Sequence, residues 1–282
     1  MFRTLIGTAE LGARVGDPAL VIVDVRHDLA HPDAWGENAY RDGHLPGAGF
    51  AHVDRDLSGV KTGRNGRHPL PTPEACAEAF GRLGIDATKQ VVAYDQGPGM
   101  YAARLWWMLR WLGHEAVAVL DGGFAAWTRE GRPVTTEVPK FSATTFVAQA
   151  PAATIDAGAI AANLRVPAFV LLDARARERY RGDVEALDPV AGHIPGAINR
   201  PYSENLDADG RFKPTAALAS EFDALLADRA PRDVVHYCGS GVTACHNLLA
   251  MTHAGRSGAR LYPGSWSEWC SDPDRPVARG GA

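Results

Sequence analysis

Two stretches near the start of this sequence, VIVDVRHDL (residues 21–29) and YRDGHLPGAGF (residues 40–50), determine how the rest of the chain is interpreted. They return in the second half as VLLDARARERYRG (residues 170–182) and VAGHIPGAIN (residues 190–199). The same separation along the chain relates three matched pairs: Asp24 with Asp173, His44 with His193, and Gly47 with Gly196. Self-similarity at a fixed separation is the sequence signature of a repeated structural unit.

The repeat continues beyond these two stretches. VVAYDQGPGMYAARLWWML (residues 91–109) parallels VVHYCGSGVTACHNLLAM (residues 234–251), which places Asp95 opposite Cys238. VLDGGFAAWTREGRPV (residues 119–134) parallels LYPGSWSEWCSDPDRPV (residues 261–277), which places Trp127 opposite Trp269. The chain is therefore a tandem duplication, and one copy carries a cysteine where the other carries an aspartate.

Whole-chain properties restrict the class of protein. A chain of 282 residues, 46% of them hydrophobic, is long enough for two domains with their own cores. The net charge of -4 and the scattered Lys and Arg residues argue against a nucleic-acid partner. No apolar run approaches the roughly 20 residues of a membrane helix, and the first residues, MFRTLIGTAELG, lack the apolar core of a signal peptide. We expect no membrane partner and a soluble, cytoplasmic protein. Its four cysteines form no CxxC pair and are expected to be reduced thiols.

Hydrophobic patterns predict a layered α/β fold in each copy. Short apolar runs typical of buried parallel strands lie at residues 20–23, 91–94, 116–120, 169–172 and 234–237. Helical patterns between them begin at Thr72, with Pro73 at the first helical position, at Tyr101, and in KPTAALASEFDALLADRA (residues 213–230). Residues 135–154 are small and polar, as in a linker. The predicted boundaries are a non-catalytic domain at 1–136, a linker at 137–153 and a catalytic domain at 154–282.

Cys238 combines features that favour a reactive thiolate. It ends an apolar strand, and a glycine-rich loop and the start of a helix follow it, so backbone N–H groups and the positive end of a helix converge on it. Such a thiolate is a nucleophile, able to attack an electrophilic centre such as divalent sulfur. Gly239 and Gly241 let the loop curl closely, and Ser240 and Thr243 add hydroxyl donors. The alternative interpretation is a buried, unreactive cysteine at a strand end.

These elements together resemble a known family. CGSGVTA, the two GH[LI]PGA elements and the matching tryptophan endings look like the tandem-domain sulfurtransferases, which comprise rhodanese and 3-mercaptopyruvate sulfurtransferase. The resemblance implies an α/β protein of two tandem rhodanese-like domains, each a parallel five-stranded sheet flanked by helices. It also implies that Cys238 is the nucleophile. The residues implied to bind the donor around it are Gly239, Gly241, Val242 and Thr243.

An anionic sulfur donor requires a cation in the site. Arg179 in RERYRG matches the substrate-binding arginine of the family, and a planar guanidinium binds a carboxylate or sulfonate through two parallel hydrogen bonds. Arg175, Arg177 and Arg181 are close alternatives for this role. The mercaptopyruvate enzymes usually carry a second arginine several residues later, where this chain has Asp188 or its neighbour. That departure weakens the assignment of the donor.

The loop composition favours 3-mercaptopyruvate as the donor. Rhodaneses that prefer thiosulfate resemble CRKGVTA, in which two cations offset a dianion, whereas Gly239 and Ser240 are neutral. In the mercaptopyruvate enzymes the loop serine joins a histidine and an acidic residue as a proton relay, and those positions align with Ser240, His68, and Asp54 or Asp56. Thiosulfate remains the alternative donor. The expected acceptor is a thiol, cyanide or a thioredoxin-like protein.

Other functions fit the residues less well. A cysteine phosphatase would need an arginine at the end of its loop, where this chain has Ala244, whereas a non-catalytic sulfur carrier remains open. No metal is expected, because Cys245, His246 and His253 lack zinc-ligand spacing, and no cofactor is expected. His44 and His193 are interpreted as structural residues of their turns, and Cys245 as a packing residue.

Overall fold

The structure, a computed structural model, describes residues 1–152, 154–227 and 229–281. These residues form two compact units, which are described separately. Unit 1 comprises Met1–Gly59, Pro71–Ala152 and Ala208–Arg211, and unit 2 comprises Val60–Leu70, Ala153–Asp207 and Phe212–Ala282. Across the described ranges, no helix is both long enough and apolar enough to span a membrane.

Unit 1 is built on a parallel sheet. Its strands are β1 (Leu5–Ile6), β2 (Leu20–Asp24), β3 (Ala48–Phe50), β4 (Gln90–Tyr94) and β5 (Val117–Leu120), in the order β1-β5-β4-β2-β3. Every neighbouring pair is parallel. The side chains of β4 are buried throughout, as expected for a central strand covered on both faces. The predicted strands at 20–23, 91–94 and 116–120 are confirmed.

Helices connect and flank these strands. They are α1 (Thr8–Gly12), α2 (Trp35–Asp42), α3 (Pro73–Arg82), α4 (Met100–Trp111) and α5 (Gly123–Arg129). The predicted start of α3 is confirmed, because the Thr72 hydroxyl accepts the N–H of Ala75 at 3.2 Å and caps the helix. Trp127 of α5 is fully buried in the core with β1, β4 and β5.

Unit 2 has a shorter parallel sheet. Its strands are β6 (Val170–Asp173), β7 (Ile198–Asn199), β8 (Val234–Tyr237) and β9 (Arg260–Leu261), in the order β7-β6-β8-β9. The family resemblance implies a fifth strand, but within the described residues this sheet has four. Within the described residues, the pairing that corresponds to that of β1 with β5 is represented by the N–H of Ile155, which donates to the carbonyl of Leu261 at 2.9 Å.

The remaining helices belong to unit 2. They are α6 (Ala157–Arg165), α7 (Arg177–Arg181), α8 (Thr215–Leu226), α9 (Thr243–His253) and α10 (Ser265–Trp269), with short 3-10 helices at Tyr202–Asn205 and Pro231–Asp233. Trp266 and Trp269 of α10 are fully buried in the core of the unit. The helix predicted within residues 213–230 is confirmed as α8.

The duplicated histidine turns have the same local structure. In unit 1 the ring of His44 stacks on Tyr40 with centroids 3.9 Å apart, and Nδ1 of His44 lies 2.7 Å from the Tyr40 carbonyl. In unit 2 His193 stacks on Tyr180 at 3.7 Å, and its Nδ1 lies 2.7 Å from the Tyr180 carbonyl. Both histidines therefore have the structural role predicted for them.

One segment departs from the predicted domain boundaries. Val60–Leu70 lies in the predicted first domain, yet it packs in unit 2 because its backbone and side chains bond residues of that unit. The N–H of Arg67, for example, donates to Oγ of Ser267 at 2.9 Å. Residues 137–152 contain neither helix nor strand, and the linker remains a prediction. Its end at Ala153 and the end of the predicted catalytic domain at Ala282 lie outside the described residues.

Candidate active site

Cys238 directly follows β8, and its backbone is hydrogen-bonded to residues at the start of α10. Its N–H donates to Oγ of Ser265 at 3.1 Å, and its carbonyl accepts the N–H of Trp266 at 2.9 Å. The next carbonyl, that of Gly239, accepts the N–H of Ser267 at 2.9 Å. The start of α10 therefore fixes the first half of the cysteine loop.

Ser265 adopts an unusual backbone conformation to make these contacts. Its φ of +56° lies in the left-handed region, which is sparsely populated by residues other than glycine. Its hydroxyl also donates to the carbonyl of Tyr262 at 2.9 Å, so the side chain links the end of β9 to Cys238. Strain of this kind persists only where surrounding contacts hold it, and it is concentrated at functional sites.

The sulfur of Cys238 points into the loop. Cys238 is 2% exposed, and its Sγ accepts the N–H of Gly241 at 3.1 Å. Gly241 has φ +76°, so a glycine is needed for the loop to turn back on the sulfur. Val242 then precedes α9, which begins at Thr243. The sulfur therefore lies among backbone donors beside the N-terminus of an eleven-residue helix, where partial positive charge stabilises an anion.

The other three cysteines lie in different surroundings. Burial raises the pKa of Cys76 and the pKa of Cys270 to about 11 in each case. Cys245 is fully buried in α9, and its thiol donates to the carbonyl of Gly241 at 3.2 Å. The packing role predicted for Cys245 is confirmed. No disulfide joins the four cysteines, all of which are among the described residues.

Ser240 and His68 form a buried pair. Nδ1 of His68 lies 2.7 Å from Oγ of Ser240, and the two residues are 2% and 6% exposed. His68 belongs to Val60–Leu70, so this contact lies within unit 2. The geometry allows a proton to move between the hydroxyl and the imidazole.

Among the four arginines considered from the sequence, Arg179 faces the cysteine loop. A Cβ placed on Gly239 would lie 3.4 Å from Nη1 of Arg179. Arg175 is instead buried against Asp173 at 2.7 Å. Arg177 pairs with Glu204, and Arg181 pairs with Asp183 at 2.7 Å. The alternatives to Arg179 thus have other partners.

Two acidic residues bind the arginines near the loop. Glu185 accepts two hydrogen bonds from Nη2 of Arg179, at 2.7 and 2.9 Å. Asp188 accepts from Nη2 of Arg179 at 3.1 Å and from Nη1 of Arg67 at 2.6 Å. Burial acts to raise the pKa of Glu185, but hydrogen bonds from Arg179 and from backbone N–H groups outweigh it and leave the pKa below its ordinary value. Glu185 is therefore held as an anion beside the guanidinium of Arg179.

The predicted acidic member of the relay lies in unit 1. Oδ2 of Asp54 is 3.7 Å from Nε2 of His27. Asp56, the alternative, accepts the N–H of His52 at 2.7 Å and Nη2 of Arg82 at 2.8 Å. The structure therefore brings Ser240 and His68 together, whereas the pairing of Asp54 with His68 remains a prediction.

The counterpart of Cys238 in unit 1 also lies in a loop lined by N–H groups. The carboxylate of Asp95 accepts the N–H groups of Gly97 and Gly99 at 3.0 Å each, and that of Tyr101 at 2.9 Å. The carbonyl of Asp95 accepts the N–H of Phe124 at 2.8 Å, as that of Cys238 accepts Trp266. Burial nevertheless raises the pKa of Asp95 above its ordinary value, although these hydrogen bonds act to lower it. The repeated loop thus directs backbone N–H groups at the side chain that follows the strand.

Comparison of the sequence with known protein families also identifies two copies of one domain. The sequence model of the Rhodanese-like domain family matches the chain twice, at residues 8–130 and 156–272. Each match contains one copy of the loop described above. The chain belongs to the tandem-domain sulfurtransferase family. As a member of it, this sulfurtransferase uses a sulfur donor and a sulfur acceptor, and its fold is the expected pair of parallel sheets flanked by helices.

Named relatives of the sulfurtransferase differ in the donor that their names give. A Pseudomonas aeruginosa protein provisionally named a 3-mercaptopyruvate sulfurtransferase is 48% identical over 98% of both chains. A Mycobacterium tuberculosis protein provisionally named the thiosulfate sulfurtransferase SseB is 42% identical over 99% of this chain and 98% of its own. The crystal structure of SseA from Escherichia coli, described with the 3-mercaptopyruvate sulfotransferases, is 32% identical with a TM-score of 0.79, covering 94% of this chain and 99% of that one.

Sequence reasoning missed two residues of the site in this sulfurtransferase. Arg67 stands directly before His68, but nothing in its local pattern indicates that it reaches Asp188. Ser265 is typical of a helix start, and its left-handed backbone has no sequence signal.

Proposed function

We propose that the protein is a 3-mercaptopyruvate sulfurtransferase that works through a persulfide on Cys238. The main support for this proposal is the cysteine loop, in which Sγ of Cys238 accepts the N–H of Gly241 beside the paired Ser240 and His68. The names of the Pseudomonas aeruginosa and Escherichia coli relatives support 3-mercaptopyruvate as the donor. Gly239, Gly241, Val242 and Thr243 supply the loop that receives the donor sulfur, and Arg179 binds the donor anion.

The reaction divides into two sulfur transfers. The Cys238 thiolate attacks the thiol sulfur of 3-mercaptopyruvate, and the new S–S bond forms as the donor C–S bond breaks. The electron pair of the C–S bond leaves as the enolate of pyruvate, which takes up the proton that the donor thiol loses. An acceptor thiolate or cyanide then attacks the outer sulfur, so that the S–S bond breaks and the Cys238 thiolate is regenerated.

Ser240 and His68 are placed to move that proton. Their 2.7 Å contact lets the serine hydroxyl exchange a proton with the imidazole while the enolate forms. Asp54 is the proposed third member, which would fix the orientation of the histidine ring. This relay is needed for a donor with a neutral thiol and an enolate leaving group, and thiosulfate has neither.

The loop of unit 1 supports the persulfide intermediate. The outer sulfur of a persulfide is two bonds from Cβ, as the carboxylate oxygens of Asp95 are. Because those oxygens accept three well-formed backbone hydrogen bonds, the matching N–H groups of Ser240, Val242 and Ala244 are suited to an anionic outer sulfur. A reducing, cytoplasmic location is part of the proposal, since the persulfide cycle requires the thiol form of Cys238.

Thiosulfate is the second candidate donor, because the Mycobacterium tuberculosis relative carries that name at 42% identity. The test measures kcat/KM for 3-mercaptopyruvate and for thiosulfate with one thiol acceptor, together with the mass of the donor-treated protein. We expect a mass increase of one sulfur atom and a higher kcat/KM with 3-mercaptopyruvate. A higher value with thiosulfate would contradict the donor assignment. A persulfide that forms without turnover would identify a sulfur carrier instead.

A further inference from the structure

One serine near the start of α10 is bonded to both segments that carry the proposed proton relay. The N–H of Ser267 donates to the carbonyl of Gly239 at 2.9 Å, and Oγ of Ser267 accepts the N–H of Arg67 at 2.9 Å. In the sequence, Gly239 directly precedes Ser240, and Arg67 directly precedes His68. Ser267 is therefore bonded to the residue before each member of the relay pair.

The hydroxyl of Ser267 is held at both ends. It donates to the carbonyl of Gly264, in the turn that leads into α10, at 3.3 Å. Its proton is therefore directed away from Arg67, and an oxygen lone pair is left to accept the Arg67 N–H. Because the hydroxyl is fixed on α10, the Arg67 backbone that it bonds is fixed relative to that helix.

The segment that carries His68 also contacts the start of α10 through its backbone. Gly66 has φ +86°, and a Cβ at this position would lie 2.7 Å from the carbonyl oxygen of Gly264 and 3.2 Å from Oγ of Ser267. The first distance is shorter than van der Waals contact between carbon and oxygen allows. A glycine is therefore needed for Val60–Leu70 to lie this close to α10.

A second contact of this segment is less suited to position His68. Nη1 of Arg67 donates to Oδ1 of Asp188 at 2.6 Å, but this bond is made at the end of a long side chain with several rotatable bonds. The bond to Ser267 is instead made by the main-chain N–H next to His68. The position of the histidine therefore depends more directly on Ser267 than on Asp188.

We propose that Ser267 is a positioning residue that sets the distance between Ser240 and His68 by holding the segments on which they lie. The proposal rests on the proposed function, in which this pair moves a proton while the persulfide forms. Proton transfer between two side chains requires a heavy-atom distance of about 2.6–3.2 Å. The 2.7 Å between Nδ1 of His68 and Oγ of Ser240 meets this requirement. Ser267 acts through this pair and not by contact with the donor.

The test measures the two half-reactions separately in single-turnover experiments. Formation of the persulfide from 3-mercaptopyruvate needs the relay, because the donor thiol loses a proton and the enolate gains one. Transfer of the outer sulfur to cyanide needs no proton. Ser267→Ala should slow persulfide formation about fivefold, the effect of losing one ordinary hydrogen bond, and should leave transfer to cyanide unchanged.

Two further serine variants serve as controls. Ser267→Thr keeps the hydroxyl and should restore persulfide formation to the wild-type rate. Ser271→Ala removes a hydroxyl that donates to the carbonyl of Arg64, farther from His68, at 3.5 Å. Both half-reactions of Ser271→Ala should therefore keep their wild-type rates.

A matched pair of glycine variants tests the same contact without changing the serine. Gly66→Ala would place a methyl group against the carbonyl of Gly264, so it should displace the segment and slow persulfide formation. Gly63→Ala causes similar backbone strain at φ +81°, but its Cβ would meet no atom of the described residues within 4 Å. Gly63→Ala should therefore form the persulfide at the wild-type rate.

Three results would contradict these proposals. A wild-type rate of persulfide formation in Ser267→Ala, or equal slowing of its two half-reactions, would overturn the positioning role. Equal slowing by Gly66→Ala and Gly63→Ala would also overturn it, because backbone strain and not contact with α10 would then be the cause. A wild-type enzyme that forms no persulfide with 3-mercaptopyruvate would instead overturn the proposed function.

Discussion

Cys238 differs from the other cysteines in what contacts its sulfur. Its Sγ accepts a backbone N–H, whereas the thiol of Cys245 donates to a carbonyl and burial raises the pKa of Cys76 and of Cys270 to about 11. A thiolate is the attacking species in sulfur transfer, and an N–H donor stabilises it while a carbonyl acceptor stabilises the thiol. Only Cys238 is therefore in surroundings that suit a nucleophile.

We expect Cys238→Ser to abolish sulfur transfer, since a hydroxyl at this position cannot hold a sulfane sulfur. Mass spectrometry after donor treatment should show no added sulfur, and circular dichroism should show an intact fold. The matched controls Cys76→Ser, Cys245→Ser and Cys270→Ser lose buried thiols and should lower stability more than activity. Turnover by Cys238→Ser comparable to that of the wild type would exclude the persulfide mechanism.

The residues of the site that could be predicted from the sequence are those marked by local pattern. Cys238 and Ser240 lie in the loop after a strand, and His68 was found through the family resemblance. Arg67 could not be predicted, because its contact with Asp188 joins residues 121 positions apart and depends on the packing of Val60–Leu70 in unit 2. For the same reason, Asp188 could be interpreted only as a missing arginine.

At the scale of elements, strands with strong apolar character were predictable and short ones were not. β2, β4, β5, β6 and β8 match the predicted runs, because buried parallel strands read as continuous apolar sequence. β7 and β9 contain two residues each, too few for any periodicity. Among the described residues, the counterpart of β1 in unit 2 is represented by the hydrogen bond from Ile155 to Leu261.

The strand that leads to Cys238 contains a buried histidine that makes the stability of the fold depend on pH. His236 in β8 is fully buried, with Nε2 3.5 Å from the sulfur of Met251, and burial lowers its pKa to about 3. The folded state keeps this histidine neutral, while the unfolded chain protonates it near its ordinary value of about 6.5. Its contribution to stability is therefore complete above about pH 6.5 and decreases as the pH falls toward 3.

The free energy of unfolding should accordingly decrease as the pH falls from 6.5 to 4.5, by at most about 1.4 kcal/mol per pH unit for this one histidine. His114, His193 and His253, whose pKa values burial also lowers, add to the slope. His236→Phe and His236→Asn both lack the titrating group, so urea unfolding at several pH values should give both the same reduced slope. A slope equal to that of the wild type in both variants would show that His236 does not take up a proton on unfolding.

At the scale of the whole chain, the duplication has placed the same N–H-lined loop around Asp95 in unit 1 and around Cys238 in unit 2. In unit 1 the Asp95 carboxylate is bonded by the N–H groups of Gly97, Gly99 and Tyr101. In unit 2 the shorter Cys238 side chain accepts the N–H of Gly241. Adding a sulfur atom extends that side chain by about 2 Å. The outer sulfur then lies as many bonds from Cβ as the carboxylate oxygens of Asp95, which accept the hydrogen bonds in unit 1. The backbone donors of this loop thus bond a carboxyl group in unit 1, and we expect them to bond the outer sulfur of the persulfide in unit 2.

This relation predicts that Cys238→Asp converts the catalytic loop into the loop of unit 1. The carboxylate should accept the N–H groups of Ser240, Val242 and Ala244, so the variant should fold, lack activity and unfold at a higher temperature than Cys238→Ala. Each kcal/mol gained should raise Tm by about 2–4 °C in a domain of this size. Cys245→Asp is the control, because it buries a carboxylate in α9 beside the Gly241 carbonyl and should lower Tm. If calorimetry gave Cys238→Asp a lower Tm than Cys238→Ala, the N–H groups around Cys238 would not stabilise an anionic side chain. The persulfide would then need another source of stabilisation.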